Sequence, residues 1–215
     1  MREITLNFPS FVNISDLFIG LESGSQILYS SPYRNEKPVV FYGSSITQGG
    51  CASRPGNLYQ NILSRKMDLD YLNLGFAGGC KAEDAIIEYL CSLDMSMLVF
   101  DYDHNSPSPE FLEKTHFPAL MRFRAAQPDT PVILLSRPNR SCSPEDLRRR
   151  WEIIRTSREK CLSIGPQNVH FVDGQAVFSR YDGSIMTVDG THPTDFGFFC
   201  IADALYPVMR PYFPD

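Results

Sequence analysis

A parallel β-sheet covered by α-helices on both faces is the fold that this sequence of 215 residues predicts. Three observations carry it. Short runs rich in β-branched and aromatic residues recur along the chain, each read as a strand buried on both faces. Longer amphipathic stretches separate them. The residues that follow each run are small and polar, and in a parallel sheet that edge is where ligands bind.

Residues 1–36 read as a short antiparallel β extension ahead of this α/β unit. Glu3 to Phe8 alternates polar and apolar residues, Asp16 to Leu21 carries Leu17, Phe18 and Ile19, and Gln26 to Tyr29 is again strand-like. Pro9, Gly20 and Gly24 break the pieces apart. From residue 37 to residue 215 the chain reads as one large domain of about five strands. The expected strands are Val39 to Tyr42, Tyr71 to Leu74, Met97 to Tyr102, Val132 to Ser136 and Val169 to Val172. The expected helices are Asn57 to Met67, Ala82 to Ser92, Pro109 to Gln127, Pro144 to Ile164 and Asp195 to Tyr206. Ser143 is placed to cap the fourth, with Pro144 at its first position. Pro207 is expected to stop the last.

With 43% hydrophobic and 21% charged residues the composition is that of an ordinary globular protein, and the net charge of -5 argues against a nucleic-acid partner. The cluster Arg148-Arg149-Arg150 reads as the solvated face of a helix. The 6 cysteines form no C-x-x-C pair, so neither a zinc ribbon nor a thioredoxin-type site is expected. Met1-Arg2-Glu3 is followed by alternation instead of an apolar stretch, so no secretory signal is visible, and no run reaches membrane-spanning length.

The strand ends gather the candidate chemistry. Gly43-Ser44-Ser45 follows the first strand, Gly75-Phe76-Ala77-Gly78-Gly79 the second, Asp103-His104-Asn105 the third and Arg137-Pro138-Asn139 the fourth. Asp173-Gly174 follows the fifth, and a long loop leads on to Asp189-Gly190-Thr191-His192. A serine nucleophile needs an imidazole to take its proton, a carboxylate to fix the imidazole, and donors for the developing oxyanion. Ser45, His192 and Asp189 supply the first three. The Ser45 N–H, a glycine N–H at Gly78 and the Asn105 amide supply the donors. Asp173 also follows a strand and competes as the orienting carboxylate, but local spacing favours Asp189. His104 beside Asp101 and Asp103 is read as turn chemistry and not as a metal site, and His116 and His170 as structural. No dinucleotide fingerprint or P-loop is present, and Gly43-Ser44-Ser45-Ile46-Thr47 lacks the second glycine of a G-x-S-x-G elbow.

From about Lys37 onward these blocks resemble the GDSL or SGNH hydrolase superfamily. Gly43-Ser44-Ser45-Ile46-Thr47 matches its nucleophile block and Asn73-Leu74-Gly75-Phe76-Ala77-Gly78 its glycine block. Asp103-His104-Asn105 matches the asparagine block and Asp189-Gly190-Thr191-His192 the D-x-x-H block. The resemblance implies a three-layer, flavodoxin-like α/β/α fold and an ester hydrolase without a cofactor. In it Ser45 is nucleophile, His192 base, Asp189 orienter, and Ser45, Gly78 and Asn105 are oxyanion donors. Two departures stand out. Ser44 replaces the aspartate of the family name, and Gly79-Cys80-Lys81 replaces the Asn or Asp often found after the second glycine. The wording around Gly49, Cys51 and Arg54-Pro55-Gly56 is similar to bacterial members that carry a β-sandwich first. That similarity implies that residues 1–36 are a remnant of such a module and that the substrate is a small-molecule or glycan acyl ester, with acylated carbohydrate favoured. A lipid-directed esterase or thioesterase, and a catalytically silent carbohydrate-binding protein, remain as alternatives.

Overall fold

The computed structural model describes residues 2–138, 141–165 and 168–214. Five strands, β1 (Val39–Gly43), β2 (Tyr71–Gly75), β3 (Met97–Asp101), β4 (Val132–Leu135) and β5 (Val169–Val172), form one parallel sheet in the order β2-β1-β3-β4-β5. The chain leaves β1 for β2 on one side and then crosses to β3 on the other. Strand order therefore reverses beside β1, and a crevice opens outside its carboxyl end.

The pleat of β1 builds both cores. Val39 and Phe41 face one layer, where α2 (Tyr59–Met67) and α8 (Asp195–Met209) contribute Tyr59, Leu63, Phe198, Ile201 and Leu205. Val40 and Tyr42 face the other. There α3 (Asp84–Ser92), α4 (Pro109–Ala126) and α5 (Pro144–Ile164) supply Ile87, Leu90, Leu112, Leu120, Phe123 and Ile154. This is the three-layer α/β/α arrangement. Ser143 caps α5 by accepting the Asp146 N–H at 3.1 Å, with Pro144 at its first position. Between β5 and the histidine loop, two short helices, α6 (Gly174–Phe178) and α7 (Gly183–Met186), occupy the stretch read from sequence as loop. Asn139 lies outside the described residues.

Three expectations are corrected. Residues 2–36 contain neither strand nor helix, so the antiparallel extension does not form. Ile4, Phe18 and Ile27 are 76%, 90% and 72% exposed. Alternation makes a strand only when one face has something to bury against, and these side chains stay largely in solvent. Second, α8 continues through Pro207 to Met209. A proline inside a helix costs about 3 kcal/mol. Met209, beyond the proline and almost fully enclosed, returns about 1.5–3 kcal/mol, with the partly buried Val208 beside it, so the helix runs on. The third correction is Arg150, which is buried. The inner stripe of α5 runs Leu147, Arg150, Ile154, Ser157 and Cys161, the helical period, and leaves Arg149 on the surface with Glu110 and Glu113.

Candidate active site

The end of β1 passes directly into a single helical turn, α1 (Ser45–Gln48). Ser44 caps it by accepting the Ile46 N–H at 3.2 Å, which leaves Ser45 first in the helix with an N–H that has no intrahelical acceptor. Below the turn, Thr47 donates to the buried Asp101 carboxyl at 3.1 Å and accepts from the Tyr59 hydroxyl at 3.0 Å. Burial pushes the Asp101 carboxyl well above the usual carboxylate range. Gly43 is required by close approach: a Cβ there would lie 2.0 Å from Thr47 Oγ1 and 2.6 Å from the Asp101 carbonyl oxygen.

His192 arrives from the far end of the chain. Its Nε2 lies 2.8 Å from Ser45 Oγ, and its Nδ1 lies 2.7 Å from Asp189 Oδ2. The other Asp189 oxygen accepts the Thr191 and His192 N–H groups at 2.9 and 2.7 Å. One carboxylate thus turns the loop and holds the ring. The His192 N–H, then the imidazole, then the Thr191 N–H hold the Asp189 carboxyl well below its usual range. A short antiparallel bridge between Thr187 and Pro193, with the Val188 N–H donating to the His192 carbonyl at 2.9 Å, closes the loop beneath them. Backbone also presses on the ring, since a Cβ at Gly50 would sit 2.9 Å from His192 Cδ2. Asp195, just beyond, ties this end of α8 to the 51–57 loop by accepting from Ser53 and from Asn57 Nδ2 at 2.8 Å.

The glycine and asparagine blocks meet on the same rim. In register, Gly43 pairs with Gly75 of β2 and Asp101 of β3. Gly78 follows in the left-handed region at φ 73°, with open space around it. Gln48 links this loop to α1 by accepting the Ala77 N–H at 2.9 Å. The Asn105 side-chain oxygen accepts the Cys80 N–H at 3.3 Å, which leaves its NH₂ as the outward donor.

Asn105 ends a 3-10 turn, Asp103–Asn105, that two guanidinium groups cradle. Arg150 donates to the Asp103 carbonyl, to its Oδ1 and to the Ser106 carbonyl at 3.1, 3.0 and 3.0 Å. Arg137 donates its backbone N–H to Asp103 Oδ2 and its side chain to the His104 carbonyl, both at 3.0 Å. These contacts make Arg150 a positioning residue for Asn105. Arg150→Met leaves the buried Asp103 with one guanidinium, and unfolding measurements should show a loss of about 3–5 kcal/mol. The turn then drifts, and if Asn105 serves as an oxyanion donor, kcat on a short ester should fall on the order of 10²-fold with KM little changed.

Of the other candidates, Asp101 and Asp103 lie beneath the site as supports, and Asp173, His116 and His170 do not join the relay. Asp173 caps α6, accepting the Gln175 and Ala176 N–H groups at 2.9 and 3.2 Å, so it does not reach the imidazole. Asp101 and Asp103 are used in the hydrogen bonds above. His116 stacks on Tyr102, and His170 meets the Tyr212 hydroxyl at 2.6 Å. None of the 6 cysteines is in a disulfide. Among the described residues no helix is long and apolar enough to cross a membrane.

The model of the GDSL-like lipase/acylhydrolase family matches residues 36–210. The chain belongs to this family. Among solved structures, it is similar to a Bacteroides ovatus protein assigned to the GDSL-like lipases, at 30% identity and a TM-score of 0.75, over 85% of this chain and 55% of that one. The salicylyl-acyltransferase SsfX3 of a tetracycline biosynthetic pathway aligns at 21% identity and a TM-score of 0.69, over 81% of this chain and 55% of that one. A family two carbohydrate esterase from Clostridium thermocellum, solved with cellohexaose, aligns at 17% identity and a TM-score of 0.69, over 89% and 68%. The chain thus spans about half the length of the first two. No curated protein matches.

Within this GDSL-like chain, the departure at Ser44 has a local account. The Ser44 hydroxyl performs the capping that an aspartate at the same place could perform, and the carboxyl of Asp101 supports the turn from below through Thr47. Sequence reading missed Gln48, Asp195 and Arg150. Only Arg150 left a signal, its place on the apolar period of α5.

Proposed function

We propose that the chain is a serine carboxylic-ester hydrolase working through an acyl-enzyme, with residues 37–215 as its catalytic unit. The observation that carries the reading is the unbroken relay from Ser45 Oγ through His192 to Asp189, with links of 2.8 and 2.7 Å. Ser45 passes its proton to His192 Nε2 as Oγ attacks the ester carbonyl carbon. The oxyanion is met by the Ser45 and Gly78 N–H groups and the Asn105 amide. The tetrahedral species then collapses, and His192 returns the proton to the leaving alkoxide. Water, deprotonated by the same imidazole, cleaves the acyl-serine and releases the carboxylic acid. Asp189 keeps Nδ1 protonated throughout, so that Nε2 is the basic nitrogen.

The substrate proposed is a short acyl group, acetyl foremost, on a carbohydrate. In its support stand the two-domain esterase described as active on acetylated mannans and the acetyl-xylooligosaccharide esterase, which share this fold at 19% and 16% identity. An acyl-length series of simple esters, run beside an acetylated oligosaccharide, tests it. The expected result is kcat/KM highest for acetyl and falling with each added pair of carbons. A rate that climbs with chain length would replace the carbohydrate assignment with a lipid or thioester substrate.

A further inference from the structure

One exposed thiol stands beside the imidazole. Cys51 is exposed and has a positive φ of 69° in the loop that follows α1. The Ser53 N–H bond to Asp195 and the packing of Gly50 on the imidazole hold that loop against the histidine. The Cys51 sulfur, a carboxylate oxygen of Asp189 and a ring nitrogen of His192 all lie within 4.8 Å of one another.

We propose that Cys51, His192 and Asp189 form an inhibitory binding site for a thiophilic divalent cation, with Zn²⁺ the best fit. The three donors are a thiolate, an imidazole and a carboxylate, the set zinc prefers, and they leave a fourth position for water. At zinc bond lengths of about 2.0–2.3 Å, tetrahedral donors stand roughly 3.3–3.8 Å apart. The His192–Asp189 contact of 2.7 Å would open by roughly 0.6–0.8 Å, and the sulfur, within 4.8 Å of both donors, would close on them. The side chains of His192 and Asp189 are 27% and 49% exposed, so a cation reaches them and they can adjust. A hard cation such as Mg²⁺ has little use for the thiolate. On binding, Cys51 gives its thiol proton to solvent and the imidazole proton passes from Nδ1, which takes the metal, to Nε2, so the lone pair that would accept the Ser45 proton is lost.

The inhibitory half of the proposal rests on the esterase reading above, but the binding half does not, and the experiment separates them. Calorimetric titration of the whole chain with ZnCl₂ should give one site per chain, weakened at least tenfold in Cys51→Ala and absent with MgCl₂. In the ester assay, zinc should inhibit over the same concentration range and EDTA should reverse it. Cys51→Ala should keep its basal rate and need at least tenfold more zinc. Equal affinity and equal inhibition in both proteins would overturn the proposal, as would binding of Mg²⁺ at the same strength. If the metal-free chain hydrolyses no ester, the mechanism fails, and the titration alone decides the site.

Discussion

Ser45→Ala lowers kcat on a short acyl ester by about 10⁶-fold in the proposed mechanism, the scale of loss when a nucleophile is removed from a relay of this kind. The methyl side chain cannot form the acyl bond, and the 2.8 Å contact to His192 disappears with the hydroxyl. The fold should not notice. Ser45 sits at the start of α1, where the cap is made by Ser44 and the support by Thr47 and Asp101, none of which involves the Ser45 hydroxyl. Initial rates and a melting curve on the same preparation decide the matter. A variant that melts like the parent but turns over within tenfold of it would remove Ser45 from the chemistry. A weak residual rate above the uncatalysed reaction is expected, because the oxyanion donors remain.

Asp189→Asn is the second large effect, about 10⁴-fold in kcat. An asparagine can still accept the Thr191 and His192 N–H groups with its oxygen, so the loop keeps its turn. Its NH₂ then faces Nδ1, which must become an acceptor. The imidazole proton moves to Nε2, and the nitrogen beside Ser45 can no longer take a proton. Asp189→Ala loses both the turn and the orientation, so a melting temperature lower in Ala than in Asn would separate the two functions of one side chain. The depressed carboxyl adds a pH signature. Its stabilising effect is present above its unfolded value of about 3.9 and is lost as pH falls through the lower folded value. Asp189 therefore stays ionised through mildly acid solution and should add no ionisation of its own to the acid limb of kcat/KM. A limb with a two-proton slope would contradict this.

Much of this arrangement was legible because its signals are local. Asp189 and His192 are three apart in sequence and meet within one turn, and Ser143-Pro144 announces α5 through the cap it forms. The errors share a cause. Residues 2–36 have the alternation of strands but form none, and alternation states a preference that only a partner strand can fulfil. Arg148-Arg149-Arg150 reads as three equivalent charges until α5 docks on α4 and the helical period sends Arg150 inward to Asp103.

By itself the sequence determined the alternation of strands and helices, the four blocks at strand ends and the local pairing of Asp189 with His192, because each depends on neighbours along the chain. Tertiary structure alone decided that Ser45 meets a histidine 147 residues away, that two buried arginines hold the turn bearing Asn105, and that Cys51 stands beside the imidazole. Those contacts exist only after parallel strands have brought their carboxyl ends to one rim, and no residue carries the position of a partner it meets there.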